Sequence, residues 1–291
     1  MRCPYPNSIP DPRANNPKIR LVVPCGKCAV CQQNRRQDWS IRLLEESKDY
    51  LCSVFVTLTY RDDEELPNNF KTFGNINKNH LKDFFKRLRQ KTEREIRYYA
   101  VGEYGTKTYR PHFHAIIYNL SSCDRDIIEE AWSIYRGNDR FNKPVFEPIG
   151  NVHIGDVTIA SMMYVAKYHV NKTSFPDGLV PPFAIMSKGI GRNYIKRMKD
   201  YHNKNIDTYY YQYYEQKKRL PRYYKDRLFN ETLKAKISEQ YQAKANDLQD
   251  IEEYIKKYPK NKITGYFKLK HQEILEYQRK FKQKSHLNDK L

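Results

Sequence analysis

The sequence predicts an α+β fold: one antiparallel sheet in βαββαβ order with helices on one face, followed by a mainly helical C-terminal region. Three observations support this class. The chain of 291 residues is long enough to bury a hydrophobic core without disulfide staples. Short runs rich in β-branched residues alternate with runs of helical periodicity. These runs follow one another as strand, helix, strand, strand, helix, strand and helix, which predicts a single sheet covered by helices.

The first strand and the first helix of this order have clear patterns. Residues 51–60 (LCSVFVTLTY) are an apolar, β-branched run that is typical of a buried strand. Residues 78–91 predict an amphipathic helix, because apolar side chains recur at i, i+3, i+4 and i+7. These side chains are Leu81, Phe84, Phe85 and Leu88.

Two strands and a second helix follow. Residues 96–103 and 112–118 are predicted as strands joined by a loop that contains Gly105. Asp124 can cap a helix whose apolar residues point inward. The inward residues are Ile127, Ile128, Ala131, Trp132 and Tyr135.

The end of the pattern contains a short strand and a further helix. A stretch with proline and glycine over 137–150 leads to a strand at 151–157 and a helix at 159–171. Residues 173–193 carry three prolines and three glycines and are predicted as a loop. The complete order is that of a ferredoxin-like or RRM-like sheet.

Composition divides the chain into three predicted domains. Residues 1–50 combine a proline-rich arm, a cysteine cluster and a basic helix over 32–49. Residues 51–195 contain the βαββαβ order. Residues 196–291 are rich in tyrosine and lysine, and we expect them to be mainly helical and without catalytic residues.

Charge predicts the class of partner. The chain has 53 Lys and Arg against 34 Asp and Glu, a formal net charge of +19. Such an excess favours a polyanionic partner, and nucleic acid is the simplest one. A mean hydropathy of −0.90 and the lack of a long apolar run argue against a membrane protein. The first twelve residues show no apolar segment of a secretory signal, so reduced cysteines are expected.

The cysteines predict a metal site near the N-terminus. Cys25, Cys28 and Cys31 form a C-x2-C-x2-C pattern, and Cys3 is available as a fourth ligand. A structural zinc site is our first interpretation. An iron–sulfur cluster and four thiols without metal are the two alternatives, since related spacings occur in ferredoxins.

The segment around His112 and His114 predicts a second metal site. Side chains alternate along a strand, so these two imidazoles share a face. If the hairpin turns near residues 107–108, Glu103 lies opposite His112, with Cβ atoms about 5 Å apart. Two imidazoles and one carboxylate suit a catalytic ion. Two hydrogen-bonded surface histidines are the simpler interpretation of the pattern, and His153 is a competing third ligand.

A pair of tyrosines predicts a nucleophile. Tyr164 and Tyr168 are four residues apart on the last predicted helix, and Lys167 lies close to both. A nearby ammonium favours the phenolate form of tyrosine. Packing is the alternative role for two tyrosines in a chain that has 25 of them.

These segments together resemble the HUH superfamily of single-strand DNA endonucleases. VTLTY at 56–60 resembles the first family motif, HFH at 112–114 the metal motif, and YVAKY at 164–168 the two-tyrosine motif. The cysteine-rich start and GEYG at 102–105 are similar to the rolling-circle initiators of microviruses, particularly of gokushoviruses. The resemblance covers about residues 20–195.

The resemblance implies a function and its participants. It implies a nicking and joining domain over 51–195 that cuts a single-stranded DNA phage origin through a phosphotyrosine. Tyr164, Tyr168 and Lys167 would be catalytic, with Mg or Mn on His112, His114 and Glu103. We assign nucleic-acid contacts to four residues: Thr57, Thr59, Tyr60 and Arg110.

The remaining expectations concern the setting and the rival classes of protein. The initiator would act in the cytoplasm of a bacterial host, with host DNA polymerase and helicase as partners. A non-enzymatic single-stranded nucleic-acid-binding protein with an RRM-like sheet and a zinc knuckle is one rival. A nuclease or transposase that cuts with water is the other.

Overall fold

A computed structural model of the chain shows two compact units, Met1–Arg35 with Met198–Leu291 and Arg36–Arg197. It describes residues 3, 5, 7–12, 15–16, 18, 20–62, 65–105, 107–168, 178–204, 210–234, 272, 276 and 279. The helices are α1 (Ala29–Ser47), α2 (Lys78–Lys91), α3 (Arg125–Ala131), α4 (Ile159–Tyr168), α5 (Asn193–Lys204) and α6 (Arg222–Leu228). The strands are β1 (Asn7–Pro10), β2 (Arg20–Val23), β3 (Ser53–Thr59), β4 (Arg97–Tyr104), β5 (Pro111–Tyr118), β6 (Ser133–Asn138), β7 (Pro144–Pro148), β8 (Val152–Asp156), β9 (Phe183–Met186), β10 (Tyr210–Tyr213) and β11 (Gln216–Arg219).

The unit Arg36–Arg197 is built on a five-stranded antiparallel sheet in the order β8-β3-β5-β4-β9. The predicted α+β class with an antiparallel sheet is therefore confirmed. The four predicted strands lie side by side, with the first and third at the centre. These central strands are paired on both sides, which explains their continuous apolar runs.

Helices cover both faces of this sheet. Helices α2 and α3 pack on one face, against Val56, Phe113 and Ala115. Helices α1 and α4 pack on the other, where Leu43 and Val165 meet residues of β4 and β5. The prediction of helices on one face is right for the two helices inside the βαββαβ order and wrong for the two outside it. The opposite face is also apolar, and water would contact it without this second layer.

Two predicted loops contain strands. Helix α3 ends at Ala131, and a hairpin of β6 and β7 follows where a longer helix and a loop were expected. Tyr135 is consequently 57% exposed on β6 and does not point into the core. Its spacing fits a helix, but its β-propensity and the pairing with Phe146 prevail. Strand β9 likewise forms inside the predicted loop 173–193 and extends the sheet beyond β4.

The other unit contains short elements. The proline-rich arm forms a two-stranded ribbon of β1 and β2, in keeping with the extended arm that we predicted. Strands β10 and β11 form a hairpin inside the region expected to be mainly helical. Most of that region after residue 234 lies outside the described residues. Among the described helices, none has the length and apolar composition that a membrane crossing requires.

Candidate active site

Three potential metal ligands converge on the sheet face that α4 covers. In the hairpin of β4 and β5, Glu103 pairs with His112, as the sequence predicted. Glu103 Oε1 lies 3.2 Å from His112 Nε2 and 2.9 Å from His114 Nε2. One ligand atom from each residue lies within 4.8 Å of the other two. Metal bonds of about 2.1 Å at right angles separate neighbouring donor atoms by about 3.0 Å, so these residues fit one small divalent ion.

Charge within the group favours an ionised carboxylate. Burial alone would raise the pKa of Glu103, but hydrogen bonds and charge from the two histidines outweigh it and lower that pKa. Burial likewise opposes protonation of His112, and the bond to Glu103 outweighs burial and raises the pKa of His112. The site therefore holds a buried negative charge that needs a cation nearby.

The orientation of both imidazoles is fixed by their second ring nitrogens. His114 Nδ1 lies 2.9 Å from the hydroxyl of Thr57, its partner residue on β3. His112 Nδ1 lies 3.0 Å from the carbonyl oxygen of Arg110. Phe55 stacks on the His114 ring at a centroid distance of 5.4 Å. Such second contacts set the tautomer and direction of a metal-binding histidine.

Tyr164 reaches into this group from α4. Its hydroxyl donates a hydrogen bond to Glu103 Oε1 at 3.0 Å and lies 3.4 Å from His114 Nε2. Val165 is buried against β4 and β5, which sets the height of the helix above the sheet. The Arg36 guanidinium of α1 also donates to the carbonyl oxygen of Met163 at 3.0 Å. A half-buried phenol is thereby held beside three candidate ligands.

The other two predicted catalytic residues lie on the same helix. Lys167 is buried, with 6% of its surface exposed, and lies three residues after Tyr164. Tyr168 is the last residue of α4, and its side chain lies outside the described part of the structure. Their roles stay predictions.

The predicted nucleic-acid contacts have different surroundings. Tyr60 is 2% exposed and bonds the buried His80 at 2.9 Å, so its assignment to nucleic acid is wrong: the side chain belongs to the core. Thr59 exchanges hydrogen bonds with the backbone of Asn151. The Arg110 side chain is 53% exposed next to the His112 strand position and remains a candidate for phosphate contact.

Two further assignments are clarified by the strand order. His153 is exposed on β8, which lies beyond β3 from the histidine pair, and it is not part of the convergent group. The sequence did not indicate that Thr57 orients His114, although the pairing of β3 with β5 would have shown it. The sequence treated Thr57 only as a contact to nucleic acid.

A second group of candidate ligands lies in the other unit. The Sγ atoms of all four predicted cysteines lie within 4.8 Å of one another. Cys3 and Cys28 are 3.8 Å apart, and Cys25 and Cys31 are 4.0 Å apart. All four are free cysteines.

Known proteins with similar sequences are replication proteins. The sequence model of the family described as Replication-associated protein ORF2 matches residues 53–174, which include the sheet ligands and Tyr164. The Replication-associated protein ORF2 of Spiroplasma virus 4 is 35% identical over 61% of this chain and 58% of its own length. The Replication-associated protein VP4 of Bdellovibrio phage phiMH2K is 30% identical over 71% of this chain and 67% of its length. No solved structure matches significantly.

The extent of these matches decides what they show. A third relative, the Replication-associated protein ORF4 of Chlamydia phage 1, is 27% identical, and the match spans 38% of its length. The chain thus spans between 38% and 67% of the lengths of these three relatives. The family match includes every strand of the sheet except β9. From this sheet, its ligand group and these similarities, we conclude that the chain belongs to the family of phage replication-associated proteins.

Proposed function

We propose that this protein initiates rolling-circle replication by nicking a single-stranded DNA origin through a covalent phosphotyrosine, and that it later rejoins the strand. The observation that carries the proposal is the position of the Tyr164 hydroxyl, 3.0 Å from Glu103 and 3.4 Å from His114. A nucleophile and a metal-binding group at this distance can act on one phosphate. The active domain would be residues 51–195.

A divalent ion, Mg or Mn, is the proposed cofactor, and Glu103, His112 and His114 would hold it. When bound, the ion polarises a non-bridging phosphate oxygen and offsets negative charge in the transition state. The mixed set of imidazole and carboxylate donors and the buried charge of Glu103 support this cofactor. Thr57 and the carbonyl of Arg110 keep the two rings in place.

In the first step, the Tyr164 oxygen forms a bond to phosphorus and the bond from phosphorus to the 3′ oxygen breaks. The phenolic proton passes to the Glu103 carboxylate, which already accepts the hydrogen bond of this phenol. The 3′ oxygen takes up a proton and leaves as a hydroxyl for the host polymerase. Lys167, buried one turn along α4, favours the phenolate by its positive charge.

In the second step, the phosphotyrosine is resolved without ATP, because its phosphoester bond retains the energy of the broken one. Tyr168 would cut the regenerated origin. The new 3′ hydroxyl then attacks the phosphotyrosine, so the phosphodiester bond forms again and the phenol is released. Tyr164 and Tyr168 lie four residues apart on α4, which supports alternation between them.

The partners are inferred from charge and family. The net charge of +19 suits single-stranded DNA, held by its phosphates, and the exposed Arg110 lies close to the proposed site. Host DNA polymerase and helicase would extend and unwind the strand. Because the relatives are carried by bacteriophages and related viruses, we place the reaction in the cytoplasm of a bacterial host.

The rival classes are less compatible with the site. An RRM-like binder stacks bases on sheet aromatics. In this sheet, Tyr99 and Tyr118 are buried beneath helices, so they offer bases no surface. A nuclease that uses water needs no phenol beside its ligands. The hydrogen bond between Tyr164 and Glu103 therefore favours the tyrosine nucleophile.

The direct test uses oligonucleotides that tile the replicon carrying the gene, labelled at their 3′ ends. Incubation with Mn²⁺ followed by a denaturing gel should show the 3′ fragment attached to protein. EDTA and His112→Ala should each remove this band while leaving most DNA binding, because phosphate charge dominates affinity. Cut DNA without the band would support hydrolysis, and intact DNA would support a binding protein.

A further inference from the structure

We propose that Cys3, Cys25, Cys28 and Cys31 bind one Zn²⁺ ion in a structural site. This inference is independent of the nicking reaction, which uses none of the four cysteines. It concerns the unit formed by Met1–Arg35 and Met198–Leu291.

The distances between the sulfur atoms fit a single tetrahedral ion. Zinc binds thiolates at about 2.3 Å, which sets the edges of an S₄ tetrahedron at about 3.8 Å. The Sγ atoms of Cys3 and Cys28 are 3.8 Å apart, and those of Cys25 and Cys31 are 4.0 Å apart. All four lie within 4.8 Å of one another. A disulfide is excluded, since its sulfur atoms are about 2.0 Å apart.

The fold brings together two segments that are distant in sequence. In the ribbon of β1 and β2, Asn7 pairs with Val23 and Pro10 with Arg20, so paired residue numbers sum to 30. Continued beyond the ribbon, this register places Cys3 opposite position 27, between Cys25 and Cys28. Cys31 follows in the first turn of α1. The convergence of sulfur therefore follows from the strand register and the start of a helix.

The backbone around the cysteines stabilises thiolates. The N–H groups of Lys27 and Cys28 donate to the sulfur of Cys25 at 3.4 and 3.3 Å. The N–H of Cys25 donates to Cys3 at 3.3 Å, and that of Cys31 to Cys28 at 3.5 Å. Gly26 adopts a φ of 75°, a left-handed conformation that turns the chain around the Cys25 sulfur. Four thiolates side by side repel one another unless a cation lies among them.

The surroundings explain why a staple is useful here and why zinc is preferred over a cluster. Every residue of β1 is exposed, so this ribbon has no apolar face buried in a core. Small segments of this kind depend on disulfides or metals for their stability. An iron–sulfur cluster would hold its cysteines further apart, because several iron and sulfide atoms lie between them. Sulfur atoms 3.8 to 4.0 Å apart leave room for one ion.

The test measures metal content in the full-length protein, purified without chelator. Elemental analysis should find one equivalent of zinc, and replacement by Co²⁺ should give the charge-transfer and visible bands of tetrahedral thiolate coordination. Cys28→Ser should reduce zinc content at least tenfold. Cys123→Ser, at an exposed cysteine outside the group, is the matched control and should retain the full equivalent. His112→Ala should also retain it, which separates this site from the proposed nicking site.

Four results would overturn the proposal. They are wild-type protein without zinc that also gives no cobalt–thiolate spectrum, iron in place of zinc, equal zinc content in Cys28→Ser and Cys123→Ser, or zinc lost with His112→Ala alone. If Cys28→Ser does not fold, the cobalt spectrum of the wild type decides, because its intensity near the ultraviolet reports the number of bound thiolates. Loss of nicking without loss of zinc would speak against the proposed function and leave the zinc site intact.

Discussion

The Tyr164 hydroxyl donates a hydrogen bond to Glu103 across 61 residues of sequence, at 3.0 Å. Glu103 lies near the end of a central strand, where the carboxylate is buried between two imidazoles. Tyr164 lies on a helix whose apolar residues Met162 and Val165 pack on the same sheet face. Because helix and strand are fixed by one core, the phenol stays beside the carboxylate before any DNA binds. This preorganisation is what a nucleophile needs.

Removal of the Tyr164 hydroxyl tests this arrangement. Tyr164→Phe keeps the ring and its packing but has no oxygen to attack phosphorus. We expect first-strand nicking and the covalent adduct to fall by about 10³-fold or more, with an unchanged midpoint of thermal unfolding. A denaturing gel with a 3′-labelled oligonucleotide measures both products. Mass spectrometry of the nucleotide-linked tryptic peptide identifies the attacking residue.

The matched control is Tyr135→Phe, at an exposed tyrosine on β6. This variant should form the adduct at the wild-type rate. Tyr168→Phe should retain the first cut and lose the second transfer. An adduct of wild-type amount in Tyr164→Phe would show that another residue attacks first.

The contact between Thr57 and His114 predicts a change in metal affinity. A His114 Nδ1–H that donates to the Thr57 hydroxyl leaves the Nε2 lone pair facing Glu103, as a metal ligand requires. Thr57→Val keeps the β-branched shape and removes this acceptor. We expect the Mn²⁺ concentration for half-maximal nicking to rise about 10- to 100-fold. The measurement is a metal titration of initial nicking rates.

Thr59→Val provides the control for the same strand and face. The Thr59 hydroxyl bonds the backbone of Asn151 and no histidine, so the metal titration should keep its midpoint. Equal midpoints for Thr57→Val and wild type would argue against a positioning role of Thr57.

The sequence predicted the parts of the site that follow strand periodicity. Alternation placed His112 and His114 on one face, and a hairpin register placed Glu103 opposite His112. The sequence could not predict which helix covers that face, because this depends on packing between distant segments. It therefore missed the second helical layer of α1 and α4 and assigned the buried Tyr60 to nucleic acid. An aromatic residue at the end of a strand fits a core and a binding surface equally well.

Close packing at Gly150 predicts a large loss of stability. A Cβ atom at this position would lie 1.9 Å from the carbonyl oxygen of Thr59 and 2.7 Å from Tyr60 Cα. Both are backbone atoms of the region where β3 ends, so no side chain can move to relieve the clash. We expect Gly150→Ala to lower the free energy of unfolding by about 3 kcal/mol in urea denaturation.

Gly155 on β8 is the matched control for the same exchange. A Cβ atom there would meet no atom within 4 Å. Gly155→Ala should change the free energy of unfolding by no more than about 0.5 kcal/mol. Similar losses in both variants would mean that the approach of Gly150 to Thr59 does not limit stability.

The buried His80 predicts a dependence of stability on pH. Its Nδ1 atom bonds the Tyr60 hydroxyl at 2.9 Å and its Nε2 atom lies 3.0 Å from the carbonyl oxygen of Asn69. Burial lowers the pKa of His80, against the opposing effects of the Asn69 carbonyl and Asp83. An unfolded histidine has a pKa of about 6.5. As the pH falls below that value, the unfolded chain therefore takes up a proton that the folded chain does not, and folding becomes less stable.

His80→Gln should make unfolding less dependent on pH. The variant should be less stable than wild type at pH 7.5, because the buried contacts of the imidazole are lost. Between about pH 6.5 and 5, however, its free energy of unfolding should fall less steeply, by up to about 1.4 kcal/mol per pH unit. Urea denaturation at several pH values measures both slopes. His153→Gln, at an exposed histidine, should keep the wild-type slope, and an equal slope in His80→Gln would show that His80 takes no part in acid destabilisation.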